Sequence, residues 1–122
     1  MRNKKISNWR KIMAKHDITI QQGATFAKTL TVKDDANVAI DISTDSFRGQ
    51  VRKTYTSTDI EATFTMTITD GPNGLVSWSL TPLETAAMGF GRFVYDIEWV
   101  KADGNVVRIL EGVADTTPEV TR

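Results

Sequence analysis

The chain has no cysteine, one histidine and three prolines in 122 residues. Without cysteine there is no disulfide and no thiolate to ligate a metal. A lone His16 cannot build a multi-histidine metal site. A serine or cysteine triad would depend on it, and no serine stands in the strand–turn–helix setting of a nucleophile elbow. His16 is therefore read as a surface or strand-start residue. The glycines spell neither GxGxxG nor a P-loop, which leaves nucleotide chemistry unsupported. No apolar run approaches the roughly 20 residues of a membrane span. The basic N-terminus lacks the apolar region of a secretory signal, so neither a membrane nor a leader is expected. Net charge is absent too, with 15 basic and 15 acidic residues. The distribution is uneven: five basic residues and no acid precede Met13, and the remainder carries 10 basic against 15 acidic residues. An acidic body is a poor partner for phosphates, so nucleic acid is not expected. No metal or other cofactor is expected.

What the chain does have is alternation. Gly91 to Gly112 reads as two long strands around a turn at Asp103-Gly104, a dipeptide that tolerates positive φ. Phe93, Tyr95, Ile97 and Trp99 share one face of the first arm, and Val106, Val107, Ile109 and Leu110 return along it. This aromatic hairpin is taken as the centre of the core.

Upstream, Ile18 and Ile20 alternate with polar residues. Gly23 marks a bulge, kink or turn, and Phe26, Leu30 and Val32 form the face of a further strand. Asp34 to Asn37 is a turn and Val38 to Ile42 a short strand. Phe47, Gly49, Val51 and Tyr55 share the face of a strand ending near Tyr55. Residues 62–69 alternate cleanly, with Ala62, Phe64, Met66 and Ile68 inward and threonines outward. Asp70 to Gly74 is a strong turn signal, and Val76, Trp78 and Leu80 face inward from the next strand. Thr81, Pro82 and Glu84 form a capping box that opens a helix of about two turns, with Leu83, Ala87 and Met88 covering one end. The last strand fades through Val113 and Ala114, before Pro118. About eight short strands with one short helix near 82–88, and no strand–helix alternation, indicate an all-β antiparallel sandwich. The expected division is a basic arm over 1–15, the sandwich over 16–115 and a tail over 116–122. Met13 as the true start of the chain is an equal alternative to a functional arm.

Asp96 and Glu98 face the same side of one strand. Paired carboxylates are the apparatus of glycoside cleavage, but a solvated or interface-facing strand is the better reading. Asp34, Asp35 and Asp70 sit in turns, where aspartate serves the backbone, and a weak calcium site there is the minor reading. The aromatics fall at inward positions and are read as core rather than as a carbohydrate platform.

The stretch from Leu80 to Tyr95, with a strand, short helix, glycine and aromatic strand, resembles the E–F corner of immunoglobulin-like domains. Phe93 falls where that corner carries a tyrosine, and it lacks the hydroxyl. More specifically, the chain resembles small structural proteins of tailed bacteriophages, including the N-terminal immunoglobulin-like modules of upper baseplate proteins. The likeness rests on Ile20, Gly23 and Phe26, on FRGQVR at 47–52, and on Gly74, Leu80 and Thr81. It continues through Tyr95-Asp96-Ile97-Glu98, Gly104, Val106, Arg108, Leu110, Gly112 and the closing PEVTR. It implies a non-enzymatic virion component in the tail, baseplate or head–tail connector, forming homo-oligomers and binding other virion proteins. A carbohydrate-binding or adhesive sandwich is the alternative. The expected interface residues are Arg2, Lys4, Lys5, Trp9, Arg10 and Lys11 in the arm, Asp96 and Glu98 on the strand, and Glu119 and Arg122 in the tail. Ile6, Trp9 and Ile12 are spaced like one face of a helix.

Overall fold

The computed structural model describes residues 14–121. Its strands are β1 (Ala14–Lys15), β2 (Ile18–Gln21), β3 (Phe26–Thr31), β4 (Ser46–Arg52), β5 (Ala62–Thr63), β6 (Thr65–Asp70), β7 (Leu75–Leu80), β8 (Gly91–Val100) and β9 (Val106–Thr117). A 3-10 turn, Gly71–Asn73, joins β6 to β7, and the helix α1, Pro82–Ala86, lies between β7 and β8. The larger sheet has the order β5-β4-β8-β9, with β1 and β2 following one another along the far edge of β9. The smaller sheet is β3-β7-β6. β1 and β2 run parallel to β9, and every other pairing of strands is antiparallel. This is the all-β sandwich that the alternation indicated, with the immunoglobulin-like character that the resemblance implied.

The β8–β9 hairpin does sit at the centre. Phe93, Tyr95, Ile97 and Trp99 are all buried. On β9 the alternation slips: Ile109 and Leu110 are adjacent and both buried, where the register shifts between Ile97 and Glu98. Such a bulge lets two successive side chains serve one core. The turn is a loop over 101–105, closed by Lys101 N–H to the Asn105 carbonyl at 2.8 Å and Gly104 N–H to the Lys101 carbonyl at 2.9 Å. Gly104 takes the left-handed conformation (φ 94°), which a Cβ would disfavour. Asp45 pins this loop: its carboxylate accepts from Trp99 Nε1 at 2.8 Å and from Ala102 N–H at 2.9 Å.

The expected strand over 62–69 is divided at Phe64. β5 pairs with β4 in the larger sheet, whereas β6 pairs with β7 in the smaller one. Phe64 is buried at the crossing, edge-on to Trp78 (5.1 Å between centroids) and to Tyr95 (6.1 Å). Trp78 and Tyr95 stack at 5.6 Å, and Phe26 meets Trp78 edge-on at 5.4 Å. These rings join the two sheets, and their mixed edge and stacked geometry is the one aromatic quadrupoles favour.

Several expectations are corrected. Residues 38–42 form no strand. A single bridge, Lys33 to Ala39, closes the turn, while Ile42 is fully buried as a plug. β4 stops at Arg52, so Tyr55 lies beyond it and is exposed. The capping box is present, with Thr81 Oγ1 accepting from Glu84 N–H at 3.1 Å and Glu84 Oε1 from Thr81 N–H at 2.8 Å. Leu83 and Ala87, however, are exposed; Met88 is buried as expected, and Thr85 turns inward with it. The Thr85 hydroxyl fixes that rotation by donating to the Ala24 carbonyl at 2.9 Å. The sheet also runs past the expected boundaries. Ala14 and Lys15 pair with Leu110 and Glu111, and β2 pairs with Ala114 through Thr117, which carries β9 three residues beyond Ala114.

Candidate functional site

The outer face of the larger sheet carries Asp96 and Glu98, as the alternation requires. Cross-strand register puts Arg48 beside Glu98 and Gln50 beside Asp96. On the other side Arg108 pairs with Glu98 and Glu111 with Asp96. Arg48 Nε donates to Glu98 Oε1 at 2.6 Å. Arg108 lies 3.3 Å from Asp96 and 3.5 Å from Glu111. Arg52 closes the row, donating to Gln50 at 2.9 Å and to the Ser57 carbonyl at 3.0 Å. Burial pushes the Asp96 carboxyl above its ordinary value. Arg108 opposes that shift, and Glu98 and Glu111 add to it. Three carboxylates and three guanidinium groups thus form a neutralised lattice across three strands.

His16 lies where β1 gives way to β2. Its N–H donates to the Glu111 carbonyl at 2.8 Å, and its carbonyl accepts from the hydroxyl of Tyr95. Gly112 sits beneath this crossing, and a Cβ there would overlap the His16 carbonyl. A glycine inside a strand is the sequence signal for such an approach. Asp34 Oδ1 accepts from the N–H groups of Ala36 (2.9 Å) and Val38 (3.0 Å), so it serves its turn. Among the described residues no group of three or more metal-ligating side chains gathers, and no helix is long and apolar enough to cross a membrane.

Of the expected interface residues, Arg2, Lys4, Lys5, Trp9, Arg10, Lys11 and Arg122 lie outside the described residues. Glu119 is at the end of the sandwich, far along β9 from Asp96 and Glu98. Its N–H donates to Gln22 Oε1 at 3.2 Å, and its carboxylate lies against Gly23.

That end holds what the sequence reading missed. The loop after β2, the loop over 53–61, α1 with the residues that follow it, and the residues after β9 all meet there. Gln22 Nε2 donates to the Met88 carbonyl at 2.6 Å, and Gly89 N–H donates to Glu61 Oε2 at 2.7 Å. Five of the seven exposed large apolar side chains among the described residues belong to this end: Tyr55, Ile60, Leu83, Phe90 and Val120. Leu83 is 82% exposed and Phe90 68%. The opposite end, with the 101–105 loop, exposes Val38 and Val106.

No family model matches the chain, and no curated protein matches it. Solved structures do resemble it. The Lin-41 filamin domain aligns over 81% of this chain and 82% of its own, at 16% identity and a TM-score of 0.47. A mutant of the SrpA adhesin from Streptococcus sanguinis aligns over 84% of this chain at 14% identity and a TM-score of 0.51. The aligned part spans 55% of that adhesin chain. At such identities the likeness shows the sandwich fold.

Proposed function

We propose that the chain is a non-enzymatic structural module of a tailed-bacteriophage virion, acting through protein–protein contacts in the tail, baseplate or head–tail connector. The observation that carries the contact reading is the apolar end. A leucine and a phenylalanine exposed to that degree on adjoining segments, with a tyrosine, an isoleucine and a valine on the same end, support a surface that another macromolecule covers. The assignment to a virion rests on the resemblance carried by residues 47–52, 95–98 and the closing PEVTR. The partners would be further copies of this chain and other virion proteins, since rings and tubes are built from repeated subunits. Against an enzyme stands the lattice on the larger sheet, where an arginine lies against each of Asp96 and Glu98. Mass spectrometry of gradient-purified particles tests the reading. The protein is expected in the particle at a fixed stoichiometry; its presence in the lysate alone would overturn the assignment.

One observation favours the adhesive alternative. Tyr55 and Phe90 are exposed aromatics on the same end, and sugar rings stack on such side chains. Glycan-array binding that Tyr55→Ala abolishes in a folded protein would replace the virion reading with this one.

A further inference from the structure

We infer that the apolar end of one copy receives the N-terminal segment of the next, so that the chain assembles head to tail. The inference rests on the contact reading above and names the partner of that surface: residues 1–13 of a second copy.

Direction comes first. β1 runs parallel to β9 and begins at Ala14, opposite Leu110. β9 runs from the 101–105 loop toward the apolar end. The chain therefore enters β1 from the side of the 101–105 loop, and the thirteen residues before Ala14 are attached away from the apolar end. The edge of β9 that would lead back to that end is already occupied by β2, from Ala114 to Thr117. Length comes second. From Leu110 to Val106 is about 13 Å of strand, whereas thirteen residues reach at most about 45 Å. The segment is long enough to pass the loop end of its own sandwich and meet a neighbour stacked beyond it.

Chemistry comes third. The segment carries five basic residues, no acid, and Ile6, Trp9 and Ile12. By sequence, the loops of the apolar end carry Asp59, Glu61, Glu84 and Glu119 against Lys53 and Arg122. The loop end is acidic as well, but among the described residues it offers only Val38 and Val106 as exposed large apolar side chains. Apolar matching therefore selects the end with Leu83 and Phe90, and charge reinforces it. Because donor and receptor are different surfaces, the contact is heterologous, and it propagates into a ring or a filament.

The experiment is a complementation of two defective full-length proteins. One carries Ile6→Ala and Trp9→Ala, which impairs the donor. The other carries Leu83→Ser and Phe90→Ser, which impairs the receptor; Leu83→Lys alone is the second receptor variant, at a side chain so exposed that folding is unaffected. Circular dichroism melts confirm the fold of each. In sedimentation velocity the unmodified protein is expected to grow with concentration beyond a dimer. Each variant alone should associate about tenfold more weakly or worse. An equal mixture should form a capped one-to-one complex, because each partner retains the half that the other lacks. Raised salt should weaken all of these contacts. A mixture that stays monomeric overturns the inference, as does an unmodified protein that is monomeric at every concentration, the result expected if the segment folds back on its own sandwich. These outcomes are independent of whether the protein is found in virions, so failure here and failure of the virion assignment are distinguishable.

Discussion

Replacing Tyr95 by phenylalanine tests the joint between the hairpin and the first strands. The phenol ring is buried between Trp78 and Phe64, and phenylalanine preserves those contacts. What is lost is the hydrogen bond from the hydroxyl to the His16 carbonyl. That carbonyl sits at the break between β1 and β2, over Gly112. His16 is an exposed residue, so water can reach the carbonyl, and losing this hydrogen bond costs about 0.5–1.5 kcal/mol. For a domain of this size that lowers the thermal midpoint by about 4 °C per kcal/mol. The effect also has a pH signature. Burial holds the Tyr95 phenol protonated well above its ordinary range, with Asp17 and Tyr55 adding to the shift. In the unfolded chain a tyrosine ionises near about pH 10. The stabilisation from the protonated, buried phenol is thus fully present below that pH. It declines above it by about 1.4 kcal/mol per pH unit, because only the unfolded state gives up the proton. Phenylalanine has no proton to lose. Urea denaturation at pH 7 should show the variant less stable, and the gap should narrow at pH 10.5. Equal stability of the two proteins at pH 7, or a gap that widens with pH, would refute the reasoning.

Gly112→Ala places a methyl group on the His16 carbonyl, and the backbone of β1 must shift; a loss of about 2 kcal/mol or more in chemical denaturation is expected. Thr81→Ala removes one half of the capping box and should cost about 1 kcal/mol, read as a lowered thermal midpoint. Trp99→Phe keeps the ring position but deletes the 2.8 Å bond to Asp45, which retains only Ala102 N–H; about 1 kcal/mol should be lost, with faster hydrogen exchange in the 101–105 loop. Arg48→Ala breaks a well-formed ion pair with Glu98, yet the arginine is 63% exposed, so the stability change should stay below about 1 kcal/mol by thermal melt.

The sandwich was legible because period-two alternation survives in most of its strands. Val76, Trp78 and Leu80, and the four large residues of β8, are buried as their spacing requires. The misses share a cause: alternation says which face a residue occupies, but not which sheet the strand joins. Residues 62–69 alternate without interruption, although the pairing partner changes at Phe64 from β4 to β7. Tyr55 continues the period of Val51, but the strand ends where pairing with β8 ends, at Arg52. Ile42 is buried without belonging to a strand, held by its N–H bond to the Gly71 carbonyl at 2.9 Å. In α1 the period of a five-residue helix is too short to reveal a face, and one hydrogen bond from Thr85 decided the rotation.

The same distinction separates the two surfaces that carry polar or apolar signal. Asp96 and Glu98 were visible in the sequence because a regular strand fixes their face; Arg48 lies directly across from Glu98, and Arg108, also in register with Glu98, reaches diagonally to Asp96. A lattice in which each carboxylate already has an arginine gains little from a new partner, since an incoming ion must displace an existing one. The apolar end has the opposite character. Its side chains come from segments far apart in the chain, brought together by Gln22 reaching Met88 and Glu61 reaching Gly89. No local pattern links residues 55, 60, 83, 90 and 120, so the surface exists only once the sheets have folded. Leu83 and Phe90 gain nothing from the fold that exposes them, and apolar area left in water is stabilised by whatever covers it. On the proposed contact reading, the partner therefore meets the end of the sandwich rather than its charged face, and a contact surface built from loops at one end is suited to stacking subunits along the strand direction.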